Sequence, residues 1–242
     1  MADQSSWKIN IKQADAAMSL KTWWALIFIY PLARPLTVFL VNKTNISPNQ
    51  VTLTAIFFRI LTACCFFVGD HTALAVGAFF YFWAYVCDCT DGTVARIKRQ
   101  SSELGRYLDH VADLVGDIII LIVLASSQGL LIQPFIWAML ILHICESYIS
   151  YLSGFSIKSN NCLMTDQYIF RKVNQYRNWW FRKNIKSFFS FPDYTAVVFV
   201  LFPLFGLPEI GLRFGFYLLL IVLSYTIFST FISLHTNEIR FP

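Results

Sequence analysis

The chain has 242 residues, of which 57% are hydrophobic, 17% aromatic and only 14% charged, roughly half the charged fraction of an ordinary soluble domain. That composition excludes a typical water-soluble protein and predicts an all-α membrane protein. The formal net charge of +5 raises nucleic acid as a partner, but basic residues on so apolar a chain more simply mark a cytoplasmic face, and no nucleic acid is expected.

Residues 1–21 are polar, with Lys8, Lys12 and Lys21, and lack the apolar core and small-residue cleavage site of a secretory signal. The N-terminus is expected to be retained and cytoplasmic. Residues 23–41 are apolar, yet Pro31, Arg34 and Pro35 stand in their middle. A kinked amphipathic helix in the headgroup region, with Trp23 and Trp24 at the interface, accounts for them better than a span does.

Ser47 and Pro48 then open the first span, at about residues 50–69, as N-cap and first helical residue. It carries Thr52, Thr54 and Arg59. An arginine at membrane depth is either functional or paired with an acid on a neighbouring helix, and the sequence leaves both readings open. Asp70 and His71 make a turn. The second span, 73–98, runs through FFYFWAYV into the acids Asp88 and Asp91 and ends in Arg96, Lys98 and Arg99. The third begins near Glu103, carries Asp109 and Asp113 in its first turns and continues through IIILIVLA to about 126. Asp117, one turn deeper, is expected to support the site or the helix packing.

A fourth span ending near 155 carries His143 and Glu146, whose spacing of one helical turn predicts a hydrogen-bonded pair facing the bundle interior. From Lys158 to Lys186 the chain is polar, and Arg171, Lys172, Arg177, Arg182 and Lys183 interleave with Tyr176, Trp179 and Trp180. Beside a bilayer this mixture grips anionic headgroups. Pro192 and Asp193 introduce a fifth span to about 206, Gly211 to Leu234 supplies a sixth, and the tail ends at Pro242. Cys64, Cys65, Cys87, Cys89, Cys145 and Cys162 lack the paired spacing of a zinc site and read as reduced packing residues. Placing both termini in the cytoplasm puts 17 of the 19 Lys and Arg residues inside, as the positive-inside rule requires.

This topology brings the two acid pairs to the cytoplasmic ends of adjacent antiparallel helices. Asp88 and Asp91, like Asp109 and Asp113, are about one turn apart and share a face. Carboxylates so stacked repel, and burial makes them costlier, so a counter-charge is implied, most economically a divalent metal. Arg96 is a fork-shaped cation suited to phosphate oxygens, and Gly92 and Gly105 allow close approach of a ligand or backbone.

Asp88, Asp91, Gly92, Ala95, Arg96, Gly105, Asp109 and Asp113 match at every position and gap the D-x2-D-G-x2-A-R-x8-G-x3-D-x3-D signature, and the chain thereby resembles the CDP-alcohol phosphotransferase (phosphatidyltransferase) family. The resemblance implies transfer of a phosphoryl-linked alcohol from a CDP-alcohol donor to an acceptor hydroxyl, with release of CMP and with Mg²⁺ or Mn²⁺, as two ions. It implies that Asp88, Asp91 and Asp109 hold metal, and that Asp113 is the general base and touches metal as well. Arg96 would contact the donor phosphates, while Gly92, Ala95 and Gly105 leave room for the nucleotide. Asn49 and Thr52, in SPNQVT, are further candidates for the nucleotide pocket.

Residues 1–46 are then a cytoplasmic and juxtamembrane unit and 47–242 a six-helix transmembrane catalytic domain facing the cytoplasm. Its partners are membrane lipids, the donor, and a lipid or small-alcohol acceptor, and a homodimer is compatible with it. Two substrate schemes stay open: a soluble CDP-alcohol with a lipid acceptor, or CDP-diacylglycerol with a soluble alcohol such as inositol phosphate or glycerol phosphate. The stretch around His110 looks somewhat like the choline and ethanolamine branch, though His110 is as readily a surface residue of its helix. A transporter or channel is the competing class, because intramembrane acids also line ion pathways. It would spread polar residues along a path, whereas here they crowd one end.

Overall fold

The computed structural model describes residues 8–159 and 168–235; Cys162 and the tail to Pro242 lie outside them. The described residues are helical, with one isolated parallel bridge, Lys21 to Ile185, in place of a sheet. The helices are α1 (Ile11–Ala16), α2 (Ala25–Lys43), α3 (Pro48–Val68), α4 (His71–Ile97), α5 (Glu103–Ser127), α6 (Pro134–Ser159), α7 (Tyr168–Phe181), α8 (Phe191–Leu204) and α9 (Pro208–His235).

Local chemistry sets most boundaries. Ser47 accepts from the Gln50 amide while the Gln50 side chain accepts from the Ser47 amide, a reciprocal cap over the first turn of α3. Gly69 closes that helix in the left-handed conformation, which glycine adopts without steric cost. Asp70 then caps α4. Arg99, at φ +54°, ends α4, with Gln100 and Arg99 donating back to Ala95 and Arg96. This pairing closes the last carbonyls and allows Ser102 to cap α5 only a few residues later.

Among the described residues, five helices are long and apolar enough to cross a membrane: Ala25–Lys43, Pro48–Val68, His71–Ile97, Pro134–Ser153 and Pro208–Ile232. This set differs from the six expected spans. It includes the segment expected to lie at the interface, while α8 is a shorter apolar helix and α5 carries three aspartates within its first fifteen residues. Within α2, Tyr30 donates to Ala25 across a π-type turn over Ala25–Ile29, just before Pro31, and the helix continues through Pro35. Trp24, at its start, donates its amide to Asp193 at the start of α8. Beyond its other end, Ile46 accepts from Lys98 at the end of α4. Both ends of α2 are therefore held toward one end of the bundle.

The main core joins α4, α5, α6, α8 and α9 through Leu74, Tyr81, Leu121, Met139, Phe199 and Leu219. Large apolar side chains such as Leu53, Phe67, Ile141 and Tyr217 face outward, as lipid-facing positions do. His143 and Glu146 are buried as expected but bond elsewhere. His143 meets the Tyr194 hydroxyl of α8 at 3.5 Å, and Glu146 accepts from Ser150, one turn on in α6, and from Thr226 of α9. Cys64, Cys65, Cys87, Cys89 and Cys145 are free thiols.

The N-terminal segment is fastened to the rest. Asn42 bonds both backbone groups of Ile9, Asp15 pairs with Lys21 and Arg34, and Lys21 exchanges backbone bonds with Asn184 and Lys186. Burial pushes the Asp15 carboxyl upward, but bonding and charge from Lys21 and Arg34 outweigh it and hold the group below 3.8. A lowered carboxylate pKa contributes stability above the unfolded value and loses it as pH falls through the folded one. Asp15→Asn should therefore loosen residues 8–24 by about 1 kcal/mol, seen as faster limited proteolysis there with an intact bundle, and acid should do the same to the wild type. Equal cleavage rates at neutral pH would refute this.

Candidate functional site

Because α4 ends and α5 begins within one short turn, their acid-bearing turns lie side by side. Carboxylate oxygens of Asp88, Asp91 and Asp109 all fall within 4.8 Å of one another, and Asp91 is only 4% exposed. Three anions this close need a cation between them. Oxygen-only donors at such spacing suit a hard divalent ion, so these residues fit Mg²⁺ or Mn²⁺.

Asp113 is not one of that mutually close trio, but it shares a small space with Asp88. Its Oδ1 lies 2.5 Å from Nη1 of Arg59 on α3, and Arg59 Nε lies 3.8 Å from Oδ1 of Asp117. Asp117, buried, also accepts from the Tyr81 hydroxyl at 3.0 Å. Of the two readings of Arg59, pairing with an acid on a neighbouring helix is realised, and one partner is the fourth acid of the signature.

Asn49, Thr52, Gly92, Ala95, Arg96 and Gly105 all line one cavity of about 330 Å³, together with Asp91 and Asp109. Thr52 also donates to Asp91 at 2.5 Å, so it orients an acid as well as forming the wall. A Cβ at Gly105 would stand 2.9 Å from Oγ of Ser102, the cap of its own helix, and at an ordinary 3.7 Å from Asn49 Oδ1 of α3. Arg96 donates to the Ala17 carbonyl at 2.6 Å and to Thr93, and its side chain borders two cavities.

The second of these, of about 250 Å³, shares Asp91, Gly92, Arg96 and Asp109 with the first. Ser19, Thr22, Tyr30, Tyr85 and Lys186 line it with Asp88, Asp91, Arg96 and Asp109. Burial pushes the Lys186 ammonium down, against the opposing charges of Asp193 and Glu146. None of Ser19, Thr22, Tyr30, Tyr85 and Lys186 was singled out for the site from sequence: all but Tyr85, which lies on α4, come from the N-terminal segment, α2 and the loop before α8, distant from the signature in the chain. A third cavity, apolar and about 660 Å³, opens between α3 and α5, where Leu53, Ile56, Ile60, Leu108, Val115 and Ile119 line it. It shares Asn49, Thr52 and Gly105 with the first. A small space of about 80 Å³ holds Asp113 and Asp88 with Arg59, Tyr81 and Asp117, and shares Tyr85, Asp88 and Pro192 with the second cavity. His110 lines none of these; its ring stacks on Tyr151 of α6 at 5.0 Å.

Comparison with known proteins agrees with the signature. Residues 45–228 match the family described as CDP-alcohol phosphatidyltransferase. The Arabidopsis thaliana CDP-diacylglycerol--inositol 3-phosphatidyltransferase 1 and the probable CDP-diacylglycerol--inositol 3-phosphatidyltransferase 2 are each 28% identical over 100 residues, 40% of this chain. That stretch spans 44% of the length of these curated relatives. In structure, the chain resembles Mycobacterium tuberculosis phosphatidylinositol phosphate synthase, solved with CDP-DAG bound, at a TM-score of 0.54 and 19% identity. The similarity covers 84% of this chain and 94% of that one, which shows a shared fold. With the signature complete and the family match running from the start of α3 into α9, the chain belongs to the CDP-alcohol phosphatidyltransferase family.

Proposed function

We propose that the protein transfers a phosphatidyl group from CDP-diacylglycerol to a hydroxyl of a water-soluble alcohol and releases CMP. The observation that carries this choice is how the cavities join. The apolar groove between α3 and α5 is continuous with the signature-lined cavity through Asn49, Thr52 and Gly105, which suits a donor whose nucleotide and acyl chains belong to one molecule. Beyond the acids it shares with the first, the second cavity is lined by hydroxyls and the Lys186 ammonium, which suits a polyhydroxy or anionic alcohol and disfavours a cationic one such as choline. The names of the Arabidopsis relatives and the CDP-DAG of the mycobacterial structure agree with that scheme.

The catalytic unit is read as six spans, α3 to α6 with α8 and α9, both termini cytoplasmic and the acids facing the cytoplasm. The charge asymmetry supports it, as does the tethering of both ends of α2 toward one end of the bundle. Asp88, Asp91 and Asp109 would hold the divalent metal. When bound, it would neutralise the diphosphate and the charge developing on the leaving phosphate. Asn49, Gly92, Ala95 and Gly105 shape the nucleotide cavity, and Arg96 binds donor phosphate. The acceptor hydroxyl gives its proton to Asp113 as its oxygen bonds to phosphorus, and the phosphorus–oxygen bond to CMP breaks. The shared lining of Tyr85, Asp88 and Pro192 supports such a route from the acceptor cavity to Asp113.

Purified protein supplied with Mg²⁺, CDP-diacylglycerol and inositol, inositol phosphate or glycerol phosphate should release CMP. The pair CDP-choline and diacylglycerol should not. CMP release from the second pair alone would overturn the donor assignment. Asp113→Asn should lower release at least about 100-fold with the fold retained, and substantial turnover by that variant would remove Asp113 as base. Ala112→Trp, on the wall of the apolar groove, should raise KM for long-chain donor with little change in KM for the alcohol, measured by the same assay.

A further inference from the structure

Helix α7 has two unlike faces. Inward, Arg177 is only 2% exposed and gives its guanidinium to the Ser229 carbonyl of α9 at 3.0 Å. Ser229 stands one turn before the apolar stretch of α9 ends at Ile232. α7 is therefore fastened where a helix long and apolar enough to cross a membrane reaches its limit, at the level of lipid headgroups.

Outward, Lys172, Gln175, Tyr176 and Trp179 recur at spacings of three and four, and the exposed stripe continues past the helix end into Arg182 and Lys183. A face turned only to water gains nothing from Tyr176 and Trp179, which are 55% and 51% exposed. At a membrane surface the same rings rest among headgroups. The Lys183 ammonium stands over the Trp179 ring at 3.5 Å, so cation and aromatic form one surface. Between Asp166 and Asp193 the chain holds six Lys and Arg residues and no acid, a charge that anionic headgroups complement. Exposed Phe228 and Phe231 of α9 bring lipid-facing surface to the same level, where a nucleic acid would not reach.

This face is tied to the second cavity. Beyond α7 the chain turns through Asn184 at φ +58°. Lys21 donates its amide to the Asn184 carbonyl at 3.0 Å and accepts from the Lys186 amide at 2.8 Å. Half-buried Trp180 meets Trp23 at 4.8 Å between ring centroids. Ser19, Leu20, Thr22 and Lys186, on either side of these contacts, are walls of that cavity.

We infer that the outward stripe of α7 and the turn after it is a docking surface for anionic phospholipid of the surrounding membrane, and that lipid held there steadies the walls of the second cavity. The effect on the acceptor rests on the transferase reading above; the docking surface does not.

Full-length protein in detergent, titrated with phosphatidylglycerol or phosphatidylcholine and followed by native mass spectrometry, should bind the anionic lipid selectively. Arg182→Gln with Lys183→Gln should weaken that binding about 30-fold, each cation contributing roughly fivefold, and Arg182→Lys with Lys183→Arg should preserve it. In nanodiscs, replacing a quarter of the phosphatidylcholine by phosphatidylglycerol should lower the wild-type KM for the alcohol about fivefold, with kcat little changed. The double Gln variant should match the wild type in phosphatidylcholine alone and show no such fall.

Equal phosphatidylglycerol binding by the wild type and the Gln variant overturns the docking surface. So does a single-stranded RNA oligonucleotide that the wild type binds more tightly than the lipid and the Gln variant does not. A KM that anionic lipid leaves unchanged, or lowers equally in both proteins, overturns the link to the cavity. If the wild type releases no CMP from any donor, the transferase reading fails, while the lipid titration still decides what α7 binds.

Discussion

Bringing Asp88, Asp91 and Asp109 together in an apolar bundle is the constraint on which the structure turns. Each charge loses hydration on burial, and each raises the cost of the next. Protein groups offset this only in part. Thr52 bonds Asp91, while the nearest buried guanidinium, Arg59, is engaged by Asp113 and Asp117. The cluster is thus left with an unmet demand for positive charge, which is what a site for divalent metal and a diphosphate requires.

Much of the surrounding architecture holds that unfavourable arrangement in place. The closure of α4 at Arg99 and the cap of α5 at Ser102 fix the offset between the two acid-bearing helices. Glycine at 116 leaves room on α5 for the Arg59 stem of α3. Over the same end lies the N-terminal segment, latched by Asp15 and by Asn42, and its Ala17 carbonyl receives Arg96. The side chain best suited to phosphate is therefore aimed by backbone from another part of the chain.

The helices and the acid pairs were legible in the sequence because they are written in local terms. Spacing of three and four residues, a Ser-Pro start and runs of apolar residues each depend only on near neighbours. Segments whose polarity hides their period were not. The amphipathic helix α7, with Arg177, Trp179 and Trp180, reads as a loop because its charges and aromatics obscure the apolar stripe. The short α1 carried a usable signal in Asn10 and Gln13, which cap it reciprocally. Partners chosen across the bundle were out of reach: the spacing of His143 and Glu146 suggests a pair, but packing sends one to Tyr194 and the other to Ser150 and Thr226. Likewise the sequence shows that Arg59 needs an acid without saying which.

The cavities give the cluster a direction. The space lined by Asn49, Thr52 and Gly105 and the space lined by Thr22, Tyr30 and Lys186 are separate, yet both are bordered by Asp91, Gly92, Arg96 and Asp109. On the proposed reading, a phosphorus atom held over the acids has its leaving nucleotide in the first space and the incoming hydroxyl in the second. Displacement at phosphorus asks for that disposition, with attacking and leaving oxygens roughly in line. Acids and metal alone would not favour one direction of attack over another. On the proposed reading, direction comes from the helix and loop segments that separate the cavities, and the four signature acids supply charge and a proton acceptor at the plane where they meet.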